Sequence, residues 1–411
     1  MKNSLLWLCF TISLLFTSVS ANAISRDQAL RELDKLGFEN LKVHQEGNTT
    51  YLTAEDNVYR GLYRGIGTIC RTLSPTPAAD TIVLVVLQHQ MPRLTVHAIH
   101  NEADQWDVTA EYGADSKAMR KLWLERQSQS SLGKVDFVVH PQLMLDSLFH
   151  DNNHRYAVNI APAIEMSLWP GAKLTAQVII PIINNIDTDP TYDKIRPGIM
   201  TLSQNFVLNR WFELTATAGI FHTNQSIYAD TRQGFDLQLT SHLTSKLDVG
   251  INAGYTGTFC LDGSAWHFER PDQLNILGHV GYYEPRINSQ LDIYAGQFVY
   301  GDAGVRADFT RRLGEYAVGF FGTYAEKETA IGFYCSIPLG PKKQMRHGAV
   351  RISLPESMCW DYSMPNYSKP FSKKRLGVTY NTTTAGRYSN DFWQPEYVAK
   401  YVGKFLRGEI E

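Results

Sequence analysis

The sequence predicts a mainly β fold: a transmembrane antiparallel β-barrel of about 12–14 strands preceded by a small periplasmic α/β domain. Three observations predict it. The chain opens on an export leader. From Lys134 onward, apolar and polar residues alternate in strand after strand. The connections between those strands are short and long in turn. The composition agrees with this fold. The 411 residues suffice for two units, with 19% charged and 12% aromatic residues and a formal net charge of −2. That balance gives no reason to expect a nucleic-acid partner. Five cysteines without a C-x-x-C pair argue against a zinc site.

Residues 1–23 read as a signal peptide. Lys2 supplies the positive end, Leu5 to Phe16 the apolar region, and Ala21-Asn22-Ala23 the small-residue cleavage site. The apolar stretch is too short to span a bilayer as a helix, and no later run reaches that length. A membrane-spanning mature chain must therefore be a closed barrel. Cys9 falls in the leader, leaving Cys70, Cys260, Cys335 and Cys359.

Residues 24–130 read as the α/β domain. "SRDQ" from Ser25 has capping-box spacing, Leu30, Leu33 and Leu36 form a helical stripe, and Gly37 suits the helix end. A hairpin is expected around Glu46-Gly47-Asn48, and a second helix from Asn57 to Ser74, weakened by its glycines. "TIVLVVLQ" reads as a buried strand, paired with "PRLTVHAIH". This gives the order α-β-β-α-β-β. A further helix is expected over "DSKAMRKLWLERQ", and the small polar "SQSSLGK" marks the boundary.

Residues 131–385 read as the barrel. Along Phe212, Leu214, Ala216, Ala218 and Ile220, apolar positions alternate with Glu213, Thr215 and Thr217, and the same period recurs about every 10–15 residues. Short turns such as "WPGA", "LNRW", "LTSK" and "RLGE" alternate with long polar segments. A soluble β-sandwich also alternates. The charges on the polar face, however, suit a wet lumen. Lys173, Glu213, Asp236, Asp248, Asp292, Arg306 and Asp308 are the candidate lumen-facing residues, with Asp136, Glu165 and Arg351 on the same pattern. Trp169, Trp211, Phe212, Tyr282, Tyr283, Phe298, Tyr300, Tyr316 and Tyr324 lie near strand ends, as interfacial girdles would.

Residues 386–411 read as a tail with an amphipathic helix, its stripe formed by Tyr397, Val398, Tyr401, Val402, Phe405 and Leu406. Plugging the lumen, lying on the membrane and docking on the N-terminal domain are all compatible with that stripe.

Chemical fingerprints are few. No G-x-S-x-G, P-loop, H-E-x-x-H or dinucleotide motif occurs. "NIDTDP" resembles a calcium-loop fragment without its remaining ligands, and reads as a solvated outer loop. His150, His154, His222 and His267 fall in or near loops, where an enzyme acting on lipid or glycan would carry them. Cys260 and Cys359 are placed in outer loops, where a disulfide and two free thiols are both open. No catalytic residue, cofactor or metal ligand is expected.

"YAGQFVYGDAGVRADFTRRL" (Tyr294 to Leu313) reads as a hairpin at the outer rim. Gly301 and Gly304 allow positive φ there, and Asp302 is expected to bond the turn's own backbone. This stretch, extended to Ala325, resembles the YjbH/GfcD-like family of exopolysaccharide-associated outer-membrane proteins. "IGFYCSIPLGPKK" and the N-terminal "LGFENLKVHQEGNTTYLTAEDNVYR" are similar to further elements of that family. The longer members carry about one more barrel-sized segment, so this chain resembles a short, single-barrel version. The resemblance implies an outer-membrane location with the N-terminal domain in the periplasm. It also implies a role in secretion or assembly of an exopolysaccharide (capsule or biofilm polysaccharide). The implied partners are outer-membrane lipid, a polysaccharide chain and periplasmic export components. It implies no catalytic residue.

Overall fold

The computed structural model describes residues 25–75, 80–101, 103–147, 154–185, 193–223, 231–262, 265–366, 376–385 and 392–411. The leader, the "NIDTDP" stretch from Ile186 onward and His150 lie outside the described residues. The fold is mainly β, built from two sheets.

The N-terminal region runs α1 (Arg26–Leu36), β1 (Glu39–Glu46), β2 (Thr49–Glu55), α2 (Leu62–Leu73), β3 (Asp80–Gln88), β4 (Met91–His100), β5 (Trp106–Tyr112), α3 (Ser116–Leu122). Ser25 caps α1 by accepting from the Gln28 N–H, and Gly37 ends it with φ +93°. The sheet order is β1-β2-β3-β4-β5. β2 and β3 pair in parallel because α2 carries the chain across, and the other pairs are antiparallel. One face buries Leu52, Leu84, Leu94 and Val96 under Leu33, Ile66 and Ile69 of α1 and α2. The other face packs Val83 and Val85 against Ala118 and Leu122 of α3.

This region differs from expectation in three ways. β5 is an addition, signalled by Trp106, Val108 and Ala110 alternating with Asp107, Thr109 and Glu111. α2 starts five residues after Asn57, because Asp56 Oδ1 accepts the Val58 and Tyr59 N–H groups, each at 2.9 Å, and fixes a turn there. α3 stops at Leu122 because the chain turns back onto β1, where the Ser128 N–H meets Leu41 O at 2.8 Å and the Asn40 N–H meets Gln129 O at 2.7 Å.

The second sheet contains β6 (Val135–Ser147), β7 (His154–Ser167), β8 (Ala172–Asn184), β9 (Arg196–Asn209), β10 (Phe212–Thr223), β11 (Thr231–His242) and β12 (Leu247–Asp262). It continues with β13 (Ala265–Phe268), β14 (Gln273–Glu284), β15 (Ser289–Gln297), β16 (Ala303–Leu313), β17 (Tyr316–Ala325) and β18 (Glu328–Pro338). β19 (Val350–Ser353), β20 (Ser357–Asn366) and β21 (Tyr380–Asn381) complete it. Among the described residues it is a 16-stranded sheet in meander order, above the expected count because β13, β19 and β21 are short additions. Successive long strands are antiparallel, so β20 runs in the same direction as β6. The two ends of the sheet are neighbours: β19 pairs with β6 in parallel, and β20 lies beside β6.

The tight turns of this sheet meet the N-terminal region at one end. Gly171 N–H donates to His89 O at 2.7 Å, and Glu315 pairs with Arg60 and Arg64, each at 2.9 Å. The tail helix α4 (Pro395–Leu406) docks at the same end, which selects one of its three expected placements. Its Tyr397, Val398, Tyr401, Val402, Phe405 and Leu406 join the core formed by α1, α2 and the N-terminal sheet. Gly67 of α2 makes room for it: a Cβ there would meet Phe405 at 2.2 Å. The glycine that weakens α2 as an isolated helix is the one that lets α4 approach.

Candidate functional site

The large sheet is polar on its buried face and apolar on its exposed face. Along β15 and β16, Leu291, Ile293, Val305 and Phe309 are 39–46% exposed, while Asp292, Arg306 and Asp308 are 1–9% exposed. Phe235, Leu237, Leu239 and Ile251 repeat the pattern around a buried Asp236. Among the expected girdle residues, Trp169, Trp211, Phe212, Tyr282, Tyr316 and Tyr324 are exposed. Tyr283 and Phe298 are not: Tyr283 packs under α4, and Phe298 is enclosed at the β15–β16 turn.

The seven candidate lumen residues fall on the inner face, where the structure pairs them. Lys173 meets Glu165 at 2.7 Å. Glu213 takes Arg93 of β4 and the Asn205 amide, so it belongs to the contact with the N-terminal region. His279 bridges Asp292 at 3.0 Å and Asp248 at 3.6 Å. Arg306 meets Asp308 at 2.9 Å and lies over the Phe321 ring. Asp236 accepts from Asn252 at 2.8 Å and from the Tyr380 hydroxyl at 2.7 Å. His279 and Tyr380 are buried-face residues that sequence reasoning missed. His279 had a signal, its place on the polar face of β14.

Tyr380 belongs to the segment 376–385, which lies against the inner face. Its contacts run through the sheet order: Glu165 on β7, Thr201 on β9, Phe221 on β10, Asp236 on β11, Asn275 on β14 and Cys359 on β20. One short segment thus touches strands from β7 near one end of the order to β20 at the other. Its first residues sit at the end far from the N-terminal region. There Gly377 N–H donates to Asp302 Oδ2 at 2.6 Å, and Val299 N–H donates to Val378 O at 3.2 Å. Thr384 reaches Glu165, near the opposite end.

These contacts revise the family-like turn. Gly301 has φ +83°, as a turn needs, but Gly304 is in strand β16 without positive φ. A Cβ on Gly304 would meet Tyr324 O at 2.3 Å, so close strand packing is what requires glycine there. Asp302 reaches Gly377 as well as its own turn, so it clasps the inner segment. Burial raises its carboxyl above the ordinary value.

Where the sheet meets the N-terminal region lies a cavity of about 260 Å³ lined by charged groups. Glu39 pairs with Lys134 at 2.6 Å and Arg346 at 2.8 Å. Arg346 continues to Asp136 at 2.5 Å, and Asp136 meets Arg351 at 2.9 Å. Asp56 also faces this cavity. Burial pushes its carboxyl up to about 6, opposed by the backbone N–H groups of Tyr59 and Val58 and by Arg351 and Arg64. The His89 imidazole is held down to about 3, chiefly by burial.

Other expectations are placed as follows. His222 and His267 lie in β10 and β13, and His154 begins β7; these three histidines are on separate strands. Cys359 is a free thiol near the start of β20, and Cys260 lies near the end of β12, so the register puts them at opposite ends of the sheet. That separation rules out a disulfide between them. His97, Glu111 and Asp115 bring one ligand atom each within 4.8 Å. Asp115 is already engaged there, its Oδ1 capping α3. Set against protein-family models, curated proteins and solved structures, the chain matches none of them.

Proposed function

We propose that the chain is an outer-membrane β-barrel protein, with its N-terminal region in the periplasm, that supports secretion or assembly of an extracellular polysaccharide. The observation that carries the membrane reading is the inverted polarity of the large sheet. Apolar side chains point outward on strand after strand, while carboxylates, guanidiniums and amides are buried within. Water does not favour that arrangement and lipid does, because an outward apolar band is what hydrocarbon solvates. The neighbouring positions of β6 and β20 suit closure of the sheet, which leaves no unpaired edge in lipid. The polysaccharide role rests on the family resemblance, and a hydroxyl-, amide- and charge-lined interior suits a hydrophilic chain.

The membrane reading predicts a large effect at an outward position. Leu237→Arg at the middle of β11 is expected to cost about 2–4 kcal/mol of stability in lipid. An exposed site on a water-soluble sheet would change by only about 0.5 kcal/mol. Unfolding titrations in vesicles, read by heat-modifiable gel migration, measure it; a near-neutral Leu237→Arg would sink the barrel. The polysaccharide role is tested by deleting the chain. Surface polysaccharide is expected to fall with lipid A and phospholipid unchanged, and an unchanged polysaccharide level refutes the role.

The inner segment also favours a second reading, a structural barrel whose filled interior only displays its outer loops. Conductance of variants that release the inner segment separates the two.

A further inference from the structure

Three cavities lie along the inner face. One of about 380 Å³ is lined by Gln238, Asn252, Asn275, His279 and Tyr294. A second, of about 220 Å³, is lined by Gln177, Arg196 and His222. The third is the charged cavity of about 260 Å³ at the N-terminal region. Segment 376–385 is a wall of all three: Thr379 to Thr383 in the first, Thr383 to Ala385 in the second, and Thr384 and Ala385 in the third. Moving this one segment aside would join them.

The two ends of the C-terminal chain are held by different physics. Within the sheet, 376–385 is held mainly by polar contacts: Gly377 to Asp302, Tyr380 to Asp236, Thr382 to Thr201 and Thr384 to Glu165. Tyr380 and Asn381 also pair with β10 as β21, Tyr380 stacks on Phe221 at 5.1 Å, and Val378 is buried. Such bonds exchange for bonds to water or to a polar solute at little net cost. α4 is held by burial. Tyr397, Val398, Tyr401, Val402, Phe405 and Leu406 lie in the N-terminal core, and Arg71 bonds the Phe405 and Leu406 carbonyls. Apolar burial has no such exchange partner in water. The inner segment is therefore the part free to move, and α4 is its anchor.

We propose that segment 376–385 is the gate of a passage through the large sheet, conducting ions and small hydrophilic solutes when withdrawn, with α4 tethering it to the N-terminal region. The proposal rests on the barrel reading above. It is tested with the full chain in planar bilayers. Wild type is expected to show low conductance. Tyr380→Ala combined with Asp302→Ala, and separately a Gly/Ser replacement of 376–385 at equal length, should each raise it several-fold. Ala385→Cys, oxidised onto Cys359, whose Sγ lies 3.9 Å from the Ala385 carbonyl, should pin the segment. In the Tyr380→Ala, Asp302→Ala background this cross-link should return conductance toward wild type, reversibly with reductant. Insertion with wild-type conductance in both opened variants overturns the gate while the barrel stands, as does a cross-link, verified by mass, that leaves an opened variant conducting. A chain that neither inserts nor shows heat-modifiable migration overturns the barrel reading and the gate with it.

Discussion

Phe405→Ala is expected to destabilise the N-terminal region by about 3–5 kcal/mol, the range for truncating a large aromatic in a core. Phe405 fills the space left at Gly67, its ring is edge-on to Tyr63, and Arg71 lies over it at 4.5 Å. The cavity created would have little means of collapse, since the backbone of α2 already sits close. Hydrogen exchange in detergent provides the measurement. Amides of β3 and β4 should lose protection by several orders of magnitude while those of β11 and β12 keep theirs. Unchanged protection in β3 and β4 would mean that α4 rests on a core already complete without it.

The second large effect is expected at Arg346. Its guanidinium lies between Glu39 and Asp136 with 7% of its side chain exposed. Arg346→Ala leaves Glu39 with Lys134 and Asp136 with Arg351 but removes the buried guanidinium they share, and is expected to cost about 1–3 kcal/mol. Arg346→Ala with Asp136→Asn should cost less than the two single changes summed, because both single changes break the same Arg346–Asp136 pair. Urea unfolding of the four proteins completes the cycle, and strict additivity would show that the bridge contributes nothing as a unit.

Much of the large sheet was legible because it violates the usual pattern so regularly. Asp292, Arg306 and Asp308 alternate with Leu291, Val305 and Phe309, and the period alone places all three charges on one face. What covers that face was not legible. "LGVTYNTTTA" lies within the residues expected to form the barrel itself, and no period in it signals a segment laid against the sheet's buried face. Its position is set by contacts such as Tyr380 with Asp236, between residues 144 apart in sequence. The α4 stripe was visible, yet a stripe says only that a helix face is buried, and its main partners lay far back in the chain, in α2 and β5. Arg346 gave no signal, because its partners Glu39 and Asp136 are 307 and 210 residues away. Tyr283 and Phe298 read as girdle aromatics because strand ends look alike whether they meet lipid, another region or a folded-back turn.

The dependence of the first core on α4 also fixes an order of events in biosynthesis. Every strand of the large sheet is synthesised between α2 and the helix that packs on it. At about 5–20 residues per second, the N-terminal region must wait tens of seconds or longer with one apolar face uncovered. Its completed surface can exist only once the whole intervening sheet has been delivered. Any partner that recognises that surface would thereby be reading out synthesis through α4.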